Sequence, residues 1–116
     1  MAEDWSNDWH PYDQEKLQAM ADKTAPEEQG VFAIRRFRGE WVYVNASMNI
    51  RGALSRDLST NEALCIFLKG HSGLEYSFEL RPARESESRV QGLIKRYRPI
   101  CNLELAGKLR SQTKKS

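Results

Sequence analysis

Residues 30–54 constrain the fold more than any other part of this sequence. Two runs rich in β-branched and aromatic residues, 31–37 and 41–45, flank a three-residue connection that contains Gly39. Such runs around a short glycine-containing connection are typical of a β-hairpin. We therefore predict two antiparallel strands joined by a tight turn.

The residues after the hairpin have helical spacing. Ile50, Leu54 and Leu58 recur every four residues, which places them on one face of a helix. We predict that this helix runs through Leu58 and that Ser47 is its N-cap. A second short helix is predicted up to Gly70, with Ser59 or Thr60 as its cap and Glu62 in its first turn.

The second half of the sequence adds one strand and one helix. Apolar and polar residues alternate over 74–80, as in a half-buried strand, and Pro82 ends that run. Residues 84–97 have apolar positions at helical spacing and are followed by Pro99. The sequence thus predicts an α/β fold class, with a small central antiparallel three-stranded β-sheet flanked by helices.

The net charge of the chain changes sign at about residue 30, from acidic before it to basic after it. Residues 1–29 carry eight acidic side chains and two lysines, whereas the remainder carries sixteen basic and eight acidic side chains. We predict an acidic, aromatic N-terminal arm with a short helix near residues 13–22, a main domain over 30–105 and a basic C-terminal tail over 106–116. The arm is too polar to be a core element, and we expect it to dock through its indoles. A basic body suits a polyanionic partner because neutralised phosphates release counterions, although arginine and lysine also solvate helix faces.

The apolar runs and the positions of cysteine and histidine limit the cellular compartment and the cofactors that we predict. No run approaches the roughly 18 apolar residues of a membrane span, so we predict a cytoplasmic protein without a membrane partner. Cys65 and Cys101 form no CxxC, and His10 and His71 stand far apart. We therefore predict reduced thiols, no structural zinc and no small-molecule cofactor.

Four short motifs carry a resemblance to a known family. Gly30-Val31-Phe32 opens the first strand and Tyr43-Val44-Asn45 lies in the second, Asn49-Ile50 heads the first helix, and residues 93–102 read LIKRYRPICN. In this order the motifs resemble the GIY-YIG nuclease superfamily, in particular small stand-alone domains and the N-terminal domain of the excision-repair incision subunit. The resemblance spans roughly residues 30–102 and implies a GIY-YIG-like fold.

The resemblance also implies a set of catalytic positions. Such nucleases are metal-dependent phosphodiesterases with two tyrosines, an arginine, a glutamate that holds magnesium and a supporting asparagine. Tyr43 and Asn102 match this set, while the other three positions align with Phe32, Ala53 and Val90. Phe32 lacks the hydroxyl that could act on water, and neither alanine nor valine offers a charge or a ligand. Arg56 and Glu87 lie one helical turn away and are displaced candidates for the arginine and for the metal ligand.

These observations leave three functions open. The first is a catalytically degenerate nuclease-fold domain that binds DNA or another nucleic acid without cleaving it. The second is a protein-interaction or regulatory module on the same fold, and the third is a divergent endonuclease that uses magnesium with Arg56 and Glu87. For the first function, the candidate phosphate contacts are basic residues near the hairpin, on the first helix and at the end of the last helix: Arg35, Arg36, Arg38, Arg51, Arg56, Lys95, Arg96 and Arg98.

Overall fold

A computed structural model describes residues 5, 8–13, 25–36, 39–69 and 73–106. Its strands are β1 (His10–Pro11), β2 (Gly30–Arg36), β3 (Trp41–Ser47) and β4 (Leu74–Leu80). Its helices are α1 (Ile50–Ser55), α2 (Thr60–Lys69), α3 (Ala83–Tyr97) and α4 (100–106). The strands form one antiparallel sheet in the order β1-β4-β2-β3, which confirms the predicted hairpin between β2 and β3.

The fourth strand lies in the N-terminal arm. His10 pairs with Tyr76 and Pro11 with Glu75, and the backbone N–H of Tyr12 donates to the carbonyl of Leu74 over 2.9 Å. The prediction of three strands is wrong because a two-residue strand carries no alternating pattern. Proline also lacks an N–H and is confined to edge strands, which is where β1 lies.

The first helix begins later and ends earlier than predicted. Ser47 still belongs to β3, and Asn49 is the N-cap: its Oδ1 atom accepts from the backbone N–H of Gly52 over 2.9 Å. The helix ends at Ser55, with Arg56 as the C-cap. The prediction of Ser47 as N-cap is wrong because β3 extends two residues beyond the predicted run of 41–45.

The sheet is covered on both faces. Phe32 and Ile34 belong to a first core cluster with residues of α1, α2 and α4, whereas Val31 and Ala33 belong to a second core cluster with residues of α3. On β3, Ile34 pairs with Tyr43 while Arg35 pairs with Trp41, so Val42 is an extra residue in a β-bulge. Because of this bulge, the consecutive residues Val42 and Tyr43 both belong to the first core cluster.

The aromatic arm packs into both clusters. The rings of Trp5 and Trp9 each meet the ring of Trp41 edge-on at a centroid distance of 5.6 Å, and Trp41 stacks on Tyr97 at 4.0 Å. Trp5 and Tyr12 are only 6% and 7% exposed. The prediction that the arm is too polar for the core is therefore wrong, because a few aromatic side chains bury large apolar surfaces within a polar segment.

A disulfide joins Cys65 of α2 to Cys101 of α4, with their Cα atoms 5.8 Å apart. The prediction of reduced thiols is wrong. The two cysteines are 36 residues apart, and only the packing of α2 beside α4 brings them together. Sequence spacing gave no sign of this pairing.

Several predictions fall outside the described residues. These are most of the helix near residues 13–22, nearly all of the tail over 106–116, and Arg38 and His71. None of the helices in the described ranges is long and apolar enough to cross a membrane.

Candidate functional site

The site implied by the motifs is centred on Tyr43 in β3. Its ring lies beside that of Phe32 in β2, with centroids 6.1 Å apart, and only 4% of Tyr43 is exposed. The Tyr43 hydroxyl donates a hydrogen bond to the carboxylate of Glu62 and accepts one from Nδ2 of Asn45 over 2.9 Å. The single donor of this phenol is therefore already in use.

Glu62 is a member of the site that sequence reasoning missed. The backbone N–H of Ser59 donates to Oε1 of Glu62 over 2.9 Å, and the Glu62 N–H donates to the Ser59 hydroxyl over 3.1 Å. This is a capping box at the start of α2. The predicted cap is thus confirmed at Ser59, the first of the two alternatives, but nothing local signals that the other oxygen of Glu62 reaches Tyr43, 19 residues away.

The protonation states of this pair are set by burial and by each other. Burial raises the pKa of Tyr43, and the hydrogen bond and negative charge of Glu62 raise it further. Partial burial raises the pKa of Glu62, but the hydrogen bonds from Tyr43 and Ser59 together outweigh it and lower that pKa. At neutral pH the pair is thus a neutral phenol and a carboxylate. A phenol with a raised pKa is poorly suited to accept a proton from water.

The Glu62 carboxylate gives a prediction about pH. Its pKa is lower in the folded protein than its ordinary value of 4.5, so its contribution to stability is present above that value and is lost as the pH falls through the folded pKa. We expect the stability advantage of the wild type over Glu62→Gln to shrink below about pH 4.5. Urea unfolding between pH 7 and pH 3.5 measures it. Glutamine still completes the capping box, so the variant should fold.

The matched control is Glu87→Gln, which removes an exposed carboxylate on α3. Its unfolding free energy should follow the wild-type curve over the same pH range. If the two variants change alike, the pH dependence does not come from the contact between Glu62 and Tyr43.

Asn102 binds the backbone of the edge strand. Its Oδ1 atom accepts from the N–H of Val44 over 2.8 Å, and its Nδ2 atom donates to the Val44 carbonyl over 2.9 Å. Because β3 is an edge strand, the carboxamide satisfies backbone groups that a further strand would otherwise satisfy. The structure thus gives Asn102 a direct contact with the residue next to Tyr43.

The aligned arginine and glutamate positions lie in apolar surroundings. Ala53 of α1 belongs to the first core cluster with Phe32 and Tyr43, and Val90 of α3 belongs to the second, and each is 7% exposed. Magnesium is bound through oxygen ligands, so a buried valine does not fit the metal-binding role. In the described ranges, no three His, Cys, Asp or Glu side chains stand together as a metal-binding group.

The displaced candidates for the catalytic arginine and the metal ligand, Arg56 and Glu87, lie at the end of α1 and within α3. Arg56 follows α1, is about half exposed, and lies 3.9 Å from the carboxylate of Asp57. Glu87 is exposed on α3. The buried residues of these two helices belong to different core clusters on opposite faces of the sheet.

Three of the candidate basic residues are partly committed to contacts within the fold. The guanidinium of Arg35 lies 4.2 Å from the ring centre of Trp9 and pairs with Glu75 over 2.9 Å. Nε of Arg51 donates to the carbonyl of Ala25 over 2.6 Å. Arg36 pairs with Glu40 over 3.4 Å. Arg35 thus joins β2 to the arm, Arg51 joins α1 to residue 25, and Arg36 forms an ion pair within the hairpin. Arg38 lies outside the described residues.

Apart from Arg56, which follows α1, the other basic candidates lie at the carboxyl end of α3. Lys95, Arg96 and Arg98 are all exposed there, and the Arg96 guanidinium lies 5.4 Å from the ring centre of Tyr97. Arg98 takes the left-handed conformation that ends the helix, with φ of 49°, and its N–H donates to the carbonyl of Ile94. The structure thus brings three of the predicted phosphate contacts to one exposed end of one helix.

Similarity to solved structures supports the same architecture. The chain is similar to the GIY-YIG N-terminal endonuclease domain of UvrC from Thermotoga maritima bound to magnesium, with 24% identity over 75% of this chain and 96% of that chain, and a TM-score of 0.55. A tyrosine-to-phenylalanine mutant of that domain gives 24% identity, 75% and 94% coverage and a TM-score of 0.54. An asparagine-to-alanine mutant gives 23% identity, 75% and 94% coverage and a TM-score of 0.53.

Comparison with protein-family models and with curated proteins found no match. The structural likeness therefore carries the assignment of fold, and the chain has a GIY-YIG-like fold with an antiparallel sheet of four strands.

Proposed function

We propose that this chain is a catalytically degenerate GIY-YIG nuclease-fold domain that binds DNA or another nucleic acid through a basic face without cleaving it. The observation that carries the proposal is the environment of the Tyr43 hydroxyl. Its hydroxyl is committed to Glu62 and Asn45, its pKa is raised by burial, and its neighbour Phe32 has no hydroxyl. Because this phenol stays neutral at neutral pH and its hydroxyl is already bonded to the Glu62 carboxylate, it does not supply a base for water, and the chain keeps the scaffold of a nuclease without that function.

The basic end of α3 supports the binding part of the proposal. Lys95, Arg96 and Arg98 are all exposed at the carboxyl end of this helix. Exposed cations of this kind bind phosphates mainly through counterion release, without reading sequence. The UvrC domain to which the chain is similar in structure is an endonuclease domain, so nucleic acid is the first class of ligand to test.

The test compares two charge reversals on the same helix. Lys95→Glu lies at the carboxyl end of α3 and Arg84→Glu at its amino end, both at exposed positions and with the same change in net charge. We expect Lys95→Glu to weaken the binding of a labelled branched DNA about fivefold at low salt and to flatten its salt dependence. Arg84→Glu should change the affinity less than about twofold. Fluorescence anisotropy with magnesium measures both.

The same samples, run on a denaturing gel, test the absence of cleavage. Equal weakening by both reversals would contradict the placement of the binding face. Magnesium-dependent cleavage that Glu87→Ala abolishes would replace the proposal with a divergent endonuclease. No binding at low salt would favour a protein partner instead, for which the exposed Leu64 and Leu68 on α2 offer an apolar surface.

A further inference from the structure

Three links between side chains or backbone join β3, α2 and α4 in a closed ring. One joins β3 to α2, one joins α2 to α4, and one joins α4 back to β3: Tyr43 to Glu62, Cys65 to Cys101, and Asn102 to Val44. The disulfide is the covalent member of this ring. The other two links hold the two residues that match the family motif.

The disulfide lies beside both of the other links. Cys65 is three residues beyond Glu62 in α2, which is a rise of roughly 4.5 Å along the helix, and Cys101 is the residue before Asn102. Reduction of the disulfide therefore takes place within one helical turn of Glu62, which contacts Tyr43.

Apart from these links, few contacts hold α2 to the body. Among the side chains described in α2, only Ile66 is buried, and Phe67, which is 38% exposed, stacks on Tyr12 with the ring centroids 6.0 Å apart. Leu64 and Leu68 are 56% and 70% exposed. Elements with few buried apolar contacts open at low free-energy cost. The disulfide therefore contributes much of what holds α2 against the rest of the domain.

We propose that Cys65–Cys101 is a thiol-redox site that controls the docking of α2, and with it the contact of Glu62 with Tyr43. This regulation acts on the site of the proposed function but is tested without nucleic acid. Its reductant is a dithiol. Cys65 is partly exposed and Cys101 is fully buried, so the incoming thiolate reaches the Cys65 sulfur.

The exchange balances as a two-electron reduction. The thiolate forms a mixed disulfide with Cys65, and Cys101 leaves as a thiolate that takes up a proton. The second thiol of the dithiol then closes an intramolecular disulfide in the reductant and releases Cys65, which is also protonated. The protein gains two electrons and two protons, and the dithiol is oxidised.

Hydrogen exchange of the full chain, read by mass spectrometry of peptides, tests the proposal. The oxidised protein is compared with protein reduced by dithiothreitol, with complete reduction verified by counting thiols. We expect peptides covering α2, which include the Glu62 amide, to exchange at least about tenfold faster after reduction, while peptides from β2 and β4 stay protected. The double variant Cys65→Ser, Cys101→Ser should exchange like the reduced protein with or without dithiothreitol.

Unchanged exchange in α2 after verified reduction would overturn the proposal. So would an equal increase across the whole sheet, since that reports a loss of global stability rather than release of one helix. Absence of DNA binding in the anisotropy test would overturn the proposed function and would leave this result as it stands.

Discussion

Replacing Gly30 with alanine is expected to lower the free energy of unfolding by about 3 kcal/mol. A Cβ atom on Gly30 would lie 2.2 Å from the backbone oxygen of Glu79, 2.9 Å from Cδ1 of Ile50 and 3.0 Å from Cα of Leu80. Two of these neighbours are backbone atoms of β4, which pairs with β2 at this point. The methyl group can therefore be accommodated only by moving the strands apart.

Gly92→Ala is the matched control for this substitution. Gly92 lies within α3, and a Cβ atom there would meet nothing within 4 Å. Because alanine favours helices by up to about 1 kcal/mol over glycine, we expect this variant to be as stable as the wild type or more stable. Urea unfolding followed by circular dichroism measures both variants. Equal stability of Gly30→Ala and wild type would contradict the close approach of β2 and β4.

The hairpin of β2 and β3 could be predicted because the features that specify it are local. Its β-branched and aromatic runs and the short connection with Gly39 act between neighbouring segments, so their physical consequences can be inferred from the sequence. Alternation over 74–80 predicted β4 for the same reason, since it reports which side of a strand is buried.

The parts that the sequence did not predict depend on contacts between distant segments. Pairing of His10 with Tyr76 makes the fourth strand, and the disulfide joins Cys65 to Cys101. The contact of Glu62 with Tyr43 is of the same kind, because the capping box explains Glu62 completely at the local level. The assignment of Tyr43 and Asn102 to a site stays a prediction, and the sequence did not indicate the carboxylate of Glu62 on the Tyr43 hydroxyl.

Replacing Trp41 with alanine is expected to lower the free energy of unfolding by about 3–5 kcal/mol, the range for deletion of a large buried aromatic side chain. Trp41 is 8% exposed and stacks on Tyr97 of α3 at 4.0 Å with nearly parallel rings. Its ring also makes edge-to-face contacts with Trp5 and Trp9 of the arm. The substitution therefore removes a contact of the sheet with α3 and two contacts with the arm at once.

Leu80→Ala is the control, because it shortens an apolar side chain that is 52% exposed at the end of β4, and it should cost less than about 1 kcal/mol. Urea unfolding compares the two variants, and limited proteolysis in native buffer reports on the arm. Faster cleavage within residues 1–13 of Trp41→Ala would mean that the indoles hold the arm in place. An arm that stays protected in a destabilised variant would instead be held by the pairing of β1 with β4 and by Tyr12, whose hydroxyl donates to the carbonyl of Leu54. In either case the arm contributes to the core, so we expect its removal to destabilise the domain as well as to change the charge near any nucleic acid.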